Sequence, residues 1–251
     1  MRPYGAGHAP ACARTAPAMH PYGARAMPVR QGNAPSISGA WDFRAELSLD
    51  VMDGLPDAAG MTPSTASPAP SRPAARVTAR MADLVREIRA VVDRGLAPDL
   101  TAYLVGERLS PHLGAPDLLT AEQRVGDPER YRQHVLHAEP DGSFSVVALV
   151  WLPGQQTAIH DHVSWCVAGV HQGEESERRY RLAPGAGGAA RLVPTEDVVN
   201  GPGDVCGFAP PGDIHRVRNS CSSTAISLHV YGADVVRLGS SVRRVYTLPA
   251  D

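Results

Sequence analysis

Two histidines stand one residue apart in the segment IHDHVSW, residues 159–165. Because alternate side chains of a β-strand project to the same face, His160 and His162 would point one way and Asp161 the other. Two neutral imidazoles on one face are a good start for a transition-metal site. The pair alone is a weak signal, since exposed histidines are common and a polar loop after a strand would read the same way.

The spacing around this pair belongs to a longer, two-part pattern. The first part, G-x5-H-x-H-x3-C-x6-G, covers residues 154–173, and the second, P-x-G-x2-H-x3-N, covers residues 210–219. Together they resemble the two motifs of the cupin superfamily. Two departures stand out: Cys166 occupies the place of the usual Glu, and Gly203 lies one residue further from Pro210 than is usual.

The cupin resemblance implies a small double-stranded β-helix barrel in which His160, His162 and His215 bind a metal. Three neutral imidazoles leave a divalent ion with its full charge and with open coordination positions. Such a site favours anionic ligands, and a thiolate is one of them.

A later strand-like segment, AISLHVYG, narrows the resemblance. Its Ser227, His229 and Tyr231 match the S-x-H-x-Y segment of the thiol dioxygenases, the family of cysteine dioxygenase. This resemblance covers about residues 125–235 and implies Fe(II) as the cofactor. It also implies that Tyr231 donates a hydrogen bond to bound oxygen or substrate, while His229 and Ser227 hold its hydroxyl group.

Cys166 adds a second feature of that family. After a one-residue gap it matches the cysteine that, in animal cysteine dioxygenases, forms a thioether with the tyrosine of S-x-H-x-Y. The resemblance therefore implies a Cys166–Tyr231 crosslink. The other reading is a small buried core residue, because free cysteine buries readily.

The segment YRQHVLH, residues 131–137, bears on the substrate. Cysteine dioxygenases bind the substrate carboxylate with an Arg two residues after a Tyr, and Gln133 stands at that position here. Relatives that act on 3-mercaptopropionate resemble this chain in having Gln there. An amide lacks the charge-assisted, bidentate contact of a guanidinium. We predict a small thiol carboxylate as substrate, 3-mercaptopropionate before L-cysteine, bound by Gln133 and Tyr231; a plain strand-surface role for Gln133 is equally open.

Composition and periodicity divide the chain into three parts. Residues 1–75 are rich in Ala, Pro, Gly and Ser, and predict a disordered tail because they bury too little apolar surface to offset their ordering entropy. Residues 76–128 show helical spacing over 76–95 and 98–114, with a third helix predicted over 118–124. Residues 129–251 carry short strand-like runs, so we predict a mainly β jelly-roll barrel preceded by two or three helices.

Several finer expectations follow from local patterns. Residues 165–173 and 175–185 look like a hairpin around Gly173, and residues 190–205 look broken by turn signals. The acidic run EESE, residues 174–177, is expected to be a solvated face. Trp165 is expected near the mouth of the site. His134, His137 and His171 are expected at the surface or at a strand edge.

Charge and cysteine usage limit the partners. The net charge of −2 and the lack of a basic stripe argue against nucleic acid. No apolar run reaches the roughly 18 residues of a membrane span, and no secretory apolar stretch opens the chain. Four cysteines without a C-x-x-C pair indicate free thiols in a cytoplasmic setting. We expect a small-molecule thiol and O2 as partners, with no nucleic acid and no membrane; the oligomeric state has no signal in the sequence.

Two other functions compete with the thiol dioxygenase. One is a different cupin metalloenzyme, such as an isomerase or a dioxygenase of another substrate. The missing Glu and the S-x-H-x-Y segment speak against it. The other is a metal-poor cupin that serves as a binding module, and the three intact histidines speak against that.

Overall fold

The computed structural model describes residues 77–185 and 190–247. The tail predicted over residues 1–75 lies outside these ranges. Within them, no helix is both long and apolar enough to cross a membrane.

Two helices precede the strands. They span Ala79–Val92 (α1) and Pro98–Leu109 (α2), and α2 runs on into a 3₁₀ turn at Ser110–His112. The side-chain oxygen of Thr78 accepts the backbone N–H of Met81 at 3.1 Å, so Thr78 caps α1 as its position predicts.

The third helix, predicted over residues 118–124, is a single 3₁₀ turn at Glu122–Arg124. A reciprocal cap is present: the N–H of Thr120 donates to the Gln123 amide oxygen at 2.9 Å, and the N–H of Gln123 donates to the Thr120 hydroxyl at 3.4 Å. The backbone becomes extended at Val125. The cap formed by Thr120 and Gln123 was not enough to make an α-helix here, because a helix must continue over several further residues to be stable.

In the described ranges, ten strands form two five-stranded antiparallel sheets, which confirms the mainly β prediction. The strands are β1 Arg132–Ala138, β2 Ser145–Trp151, β3 Ile159–His162, β4 Cys166–Gln172, β5 Glu175–Pro184, β6 Ala190–Asn200, β7 Val205–Phe208, β8 His215–Asn219, β9 Ala225–Tyr231 and β10 Val242–Tyr246. Sheet A has the order β1-β2-β9-β4-β7, and sheet B the order β10-β3-β8-β5-β6. A short helix, α3 (Val235–Leu238), lies between β9 and β10.

The hairpin predicted around Gly173 is wrong. Strands β4 and β5 both exist, but β4 pairs with β7 and β9 in sheet A, whereas β5 pairs with β6 and β8 in sheet B. Gly173 has φ +76°, and a Cβ there would stand 2.8 Å from the Cα of Ala225. Only glycine therefore fits this point, where the chain leaves one sheet for the other.

The segment predicted to be broken by turns holds one long strand, β6, and it contains Pro194. Strand β6 is the last strand of sheet B, paired only with β5 in the described chain. A proline is tolerated there because its missing N–H is not needed on the open side of an edge strand.

The two faces of sheet A carry different cores. On the outer face, Leu228 and Val230 of β9 belong to an apolar cluster that includes Leu84 and Ile88 of α1. On the inner face, Ala225 and Tyr231 of the same strand join a second cluster. This alternation places every second residue of β9 inside the barrel.

Candidate metal centre

Three buried histidines meet inside the barrel, and they are the three predicted as ligands. His160 on β3 and His215 on β8 are direct partners in the antiparallel pairing, and His162 lies two residues further along β3. One ring nitrogen of each lies within 4.8 Å of the others. Strand pairing thus brings His215 beside two histidines that lie more than 50 residues before it in sequence. The spacing of the ring nitrogens is short enough for all three to bind one ion.

The second ring nitrogen of each histidine is already engaged. Nδ1 of His215 contacts a carboxylate oxygen of Glu177 at 2.7 Å, and Nδ1 of His162 contacts one of Asp213 at 3.2 Å. Nδ1 of His160 contacts the carbonyl oxygen of Ala158 at 3.0 Å. Each acceptor draws the imidazole proton to Nδ1, so the lone pair of Nε2 is left for a metal.

Burial keeps the imidazoles of His160 and His162 neutral. It lowers the pKa of His160 well below its usual range, and the two neighbouring rings, His215 and His162, lower it further. Burial also lowers the pKa of His162, although Asp213 raises it in part. Neutral imidazoles are the form that binds metal.

Asp161, between the two histidines, points away from them as strand alternation predicts. Its carboxylate accepts hydrogen bonds from Arg243 at 2.6 Å and from the Tyr246 hydroxyl at 2.8 Å. Both partners belong to β10, the neighbour of β3. The acid therefore ties the ligand-bearing strand to the edge of its sheet.

A hydrogen-bonded chain runs along the inner face of sheet A. The Tyr231 hydroxyl lies 3.2 Å from Nδ1 of His229, and Nε2 of the same ring lies 3.0 Å from the Ser227 hydroxyl. The indole N–H of Trp151 donates to that hydroxyl at 3.2 Å. Burial lowers the pKa of His229 to about 3 and raises the pKa of Tyr231 well above its usual value. Both groups therefore stay neutral, and Tyr231 keeps a proton to donate.

One cleft borders the three clustered histidines, the hydrogen-bonded chain of Tyr231 and His229, and Gln133. It encloses about 320 Å³, part of it open to solvent. Its lining comes from both sheets and comprises Tyr131, Gln133, Leu149, Trp151, Thr157, His160, His162, His215, Val217, His229, Tyr231, Ser241 and Val242. The neighbour of Gln133 in the chain, Arg132, is exposed, as its position on β1 predicts.

The sequence profile of the cysteine dioxygenase type I family matches residues 112–237. The chain belongs to the cysteine dioxygenase type I family. Membership implies thiol dioxygenase activity, and the cluster of three imidazoles fits the metal that this chemistry requires. The match includes the three histidines, Cys166 and the Ser-His-Tyr chain.

Three solved structures are each similar to a little under half of this cysteine dioxygenase family member. A protein from Thermus thermophilus is 23% identical, with 46% of this chain and 95% of that chain covered and a TM-score of 0.34. An RmlC-like cupin from Desulfovibrio desulfuricans is 20% identical, with 48% and 98% covered and a TM-score of 0.32. A Cupin 2 conserved barrel domain protein from Salinispora arenicola is 21% identical, with 48% and 91% covered and a TM-score of 0.31.

Cys166 stands directly opposite Tyr231 in the pairing of β4 with β9. The thiol is fully buried in the same inner cluster as Tyr231. Burial raises the pKa of Cys166 well above its usual value, so the sulfur carries its proton. Directly opposed residues are the closest side-chain pair that two strands offer.

The acidic run expected to be solvated is the main site feature that sequence reasoning missed. Glu175 and Glu177 are each only 3% exposed, because alternate residues of β5 face the interior. Burial raises the pKa of Glu177, but the hydrogen bonds from His215 and Arg179 outweigh it and hold that pKa at about 2. Glu177 is therefore an anionic partner of a predicted metal ligand. The E-x-E alternation at a strand start was the signal available.

Two further expectations are corrected. Trp165 does not line the cleft: its indole lies against Gly232, where a Cβ would come within 2.2 Å of it. His134 and His171 are buried, not at the surface. They project from the outer face of sheet A, where His134 contacts the carbonyl of Val125 at 2.9 Å.

Proposed function

We propose that this protein is a non-haem Fe(II) dioxygenase that converts a small thiol carboxylate, 3-mercaptopropionate in preference to L-cysteine, into its sulfinate. The reaction is R–SH + O2 → R–SO2⁻ + H⁺, with both oxygen atoms transferred to sulfur. Its partners are thus a small thiol and O2. The observation that carries the substrate preference is the position of Gln133 in the cleft beside the three histidines.

The donor set fits iron. Three imidazole nitrogens within 4.8 Å of one another suit Fe(II), and they leave coordination positions open. When bound there, iron supplies a cationic centre that lowers the pKa of a substrate thiol and brings thiol and O2 together. His160, His162 and His215 hold it, while Glu177 and Asp213 fix the rings of His215 and His162.

Tyr231 supplies the hydrogen-bond donor on the opposite wall. Its hydroxyl is neutral, buried and held in place by His229, and it borders the same cleft as the three histidines. A fixed donor in the cleft stabilises negative charge that develops on oxygen or sits on the substrate carboxylate. The Ser-His-Tyr chain thus contributes a hydroxyl donor that is already oriented, in place of a mobile water molecule.

The charge balance of the cleft supports the substrate. Among the described residues that line it, none is Arg, Lys, Asp or Glu. A carboxylate there meets the Gln133 amide and tyrosine hydroxyls rather than a guanidinium. The ammonium group of L-cysteine would meet no carboxylate side chain, so its desolvation would be poorly offset. 3-Mercaptopropionate has no ammonium group and escapes that cost.

Oxygen uptake with L-cysteine, 3-mercaptopropionate and cysteamine tests this proposal on the iron-loaded full chain. We expect the highest kcat/KM for 3-mercaptopropionate and stoichiometric sulfinate as product. An equal or higher kcat/KM for L-cysteine would contradict the substrate preference. Absence of bound iron, together with full retention of any activity in His160→Ala, would overturn the proposed function itself.

Gln133→Arg sharpens the substrate test. Because cysteine dioxygenases have Arg at this position, Gln133→Arg should raise kcat/KM for L-cysteine relative to 3-mercaptopropionate, by about tenfold. Arg132→Gln is the matched control, because this neighbouring side chain is exposed and should leave the ratio unchanged. An unchanged ratio in Gln133→Arg would place residue 133 outside the substrate contact.

We also propose a thioether between Cys166 and Tyr231. A C–S bond would replace the thiol S–H and one ring C–H, and the two hydrogens with their electrons would pass to O2. The direct pairing of the two residues across β4 and β9 supports it. Intact mass after aerobic turnover should fall by two hydrogen atoms in the wild-type chain and stay unchanged in Cys166→Ala. An unchanged wild-type mass would exclude the bond.

A further inference from the structure

Glu175 is a buried carboxyl group that the proposed chemistry does not use. It opens β5, it is 3% exposed, and its side chain faces the interior two residues before Glu177. The carboxyl group lies close enough to the Ser227 hydroxyl and the Trp151 indole N–H to interact with both. Its Oε1 atom has no hydrogen-bond partner among the described residues. Burying a carboxyl oxygen without a hydrogen-bond partner costs free energy of folding, which suggests that Glu175 has a functional role.

Glu175 stands at the closed end of the chain that leads to the cleft. From the interior outward the order is Glu175, Ser227, His229 and Tyr231. The Ser227 oxygen already accepts the N–H of Trp151 at 3.2 Å. A hydroxyl has one hydrogen and two lone pairs, so Ser227 must donate to one of its two remaining neighbours and accept from the other.

We propose that Glu175 is a positioning residue that sets the direction of hydrogen bonding along Ser227, His229 and Tyr231, and thereby decides whether the Tyr231 hydroxyl hydrogen faces the metal cleft. The inference rests on the proposed function only for its catalytic consequence. The geometry of the chain stands without it.

Two arrangements satisfy every member of the chain. When Glu175 is a carboxylate, Ser227 donates to it, His229 donates from Nε2 to Ser227, and Tyr231 donates to His229 Nδ1. When Glu175 carries a proton, it donates to Ser227, Ser227 donates to His229 Nε2, and His229 donates from Nδ1 to the Tyr231 oxygen. Only the second arrangement leaves the Tyr231 hydrogen free to point into the cleft.

The single proton of His229 makes the coupling strict. A neutral imidazole has one N–H, and the low pKa of His229 that burial causes keeps the ring neutral. The donor nitrogen of His229 therefore reports which arrangement is present. A doubly protonated ring would donate at both ends and uncouple Tyr231 from Glu175.

The surroundings of Glu175 favour its protonated form near neutral pH. Burial raises the pKa of Glu175, the nearby Glu177 carboxylate adds to it, and the Ser227 and Trp151 donors offset part, for a pKa of about 7. Glu175 and Glu177 also line a second cavity. The other titratable groups that line this cavity are Asp204, Cys206 and His215. Cys206 keeps its proton, because burial raises its pKa to about 12. We therefore expect the donor arrangement at pH values below the pKa of Glu175 and the reversed arrangement above it.

The direct test is the tautomer of His229, read from ¹⁵N chemical shifts of the zinc-loaded full chain. We expect the Nδ1–H form at pH 6 and the Nε2–H form at pH 8 in the wild-type protein. Glu175→Gln should show one His229 tautomer at both pH values, because its amide group does not titrate. Glu174→Gln is the matched control, one residue away on the partly exposed side, and should behave as wild type. A tautomer that does not change with pH or with Glu175→Gln would overturn the proposal.

Kinetics of the iron-loaded enzyme give the catalytic readout. Wild-type kcat should fall about tenfold as pH rises through 7, the effect of one lost hydrogen bond to the reacting groups, with little change in KM. Because its amide group does not titrate, Glu175→Gln should lose this fall, which the substitution of a merely structural residue would not cause. In a Tyr231→Phe background the Glu175→Gln substitution should have no effect on the pH profile. A wild-type profile in Glu175→Gln would contradict the inference.

Failure of the two ideas can be told apart. If His229 changes tautomer as expected but no thiol is oxidised, the proposed function fails and the Glu175 role stands. If thiol oxidation is present and His229 keeps one tautomer throughout, the Glu175 role fails alone. Should Glu175→Gln not fold, Ser227→Ala tests the same coupling, because it should abolish the pH dependence of the His229 tautomer.

Discussion

The buried histidines of the two sheets have different partners. In sheet A, His134, His171 and His229 contact a carbonyl, a backbone N–H and two hydroxyl groups, all of them neutral. In sheet B, His162 and His215 each contact a carboxylate, whereas His160 contacts the carbonyl oxygen of Ala158. All six rings are buried, so solvent exposure does not explain why only His162 and His215 have carboxylate partners.

This difference matches two kinds of work. A carboxylate behind an imidazole orients the ring, raises its basicity and offsets the charge of a bound cation. A neutral partner instead keeps an imidazole uncharged, so that it can pass a hydrogen bond in either direction. Sheet B thus carries the three proposed metal ligands, and sheet A carries the hydrogen-bonded chain of Ser227, His229 and Tyr231. Glu175 belongs to sheet B, yet its carboxyl group lies beside that chain.

Removing a ligand from sheet B should have the largest effect. In His215→Ala we expect iron affinity to fall by more than the roughly 100-fold that loss of an outer partner costs, because one of three donor atoms is gone. Metal analysis after purification and chelator competition measure it. His137→Ala, outside the cleft on β1, is the control and should retain iron. Wild-type iron content in His215→Ala would show that the three histidines are not the metal site.

Removing the acid behind that ligand should have the next largest effect. Glu177→Gln should weaken iron binding by about 10- to 100-fold, since the neutral amide no longer balances the cation or fixes the His215 ring. Glu196→Gln is a matched control, because Glu196 also binds Arg179 but is exposed and contacts that arginine instead of a metal ligand. If both variants bound iron equally well, the carboxylate partners would not distinguish sheet B.

These two predictions differ in how far the sequence alone supports them. Strand alternation correctly predicted that His160 and His162 share a face, and the spacing of a second motif added His215. Glu177 was misread as a solvated acid because a charged run carries no mark of what it faces. Its partner His215 lies 38 residues away and comes beside it only when β5 pairs with β8. The same limit explains the wrong hairpin: period-two patterns show that a strand exists, but not which strand it pairs with.

Changing the donor chain of sheet A should affect turnover and leave the metal in place. We expect Tyr231→Phe to lower kcat about 10- to 100-fold through loss of one preset donor, with iron content unchanged. Tyr180→Phe, a buried tyrosine of sheet B that does not line the cleft, is the control. Loss of iron in Tyr231→Phe would mean that the two sheets do not divide the work in this way.

The smallest expected effect concerns stability, and it tests the neutral partners of sheet A. Nδ1 of His171 accepts the N–H of Gly114 at 3.1 Å, and burial, with Arg124 adding to it, lowers the pKa of His171 to about 4. The unfolded chain, with its ordinary histidine pKa of about 6.5, therefore binds more protons than the folded one between these values. The free energy of unfolding should decrease as pH falls from about 6.5 toward about 4.

His171→Gln keeps an oxygen acceptor for the Gly114 N–H but cannot be protonated. Its free energy of unfolding should fall less than that of the wild type over the same pH range, by on the order of 1–2 kcal/mol. Urea unfolding of both metal-free proteins at pH 7, 6 and 5 measures their free energies of unfolding. At pH 7 the two values should differ only by the constant offset that the substitution itself causes. Parallel profiles would mean that His171 is charged in the folded protein, and that a neutral partner does not suffice to keep a buried histidine of sheet A unprotonated.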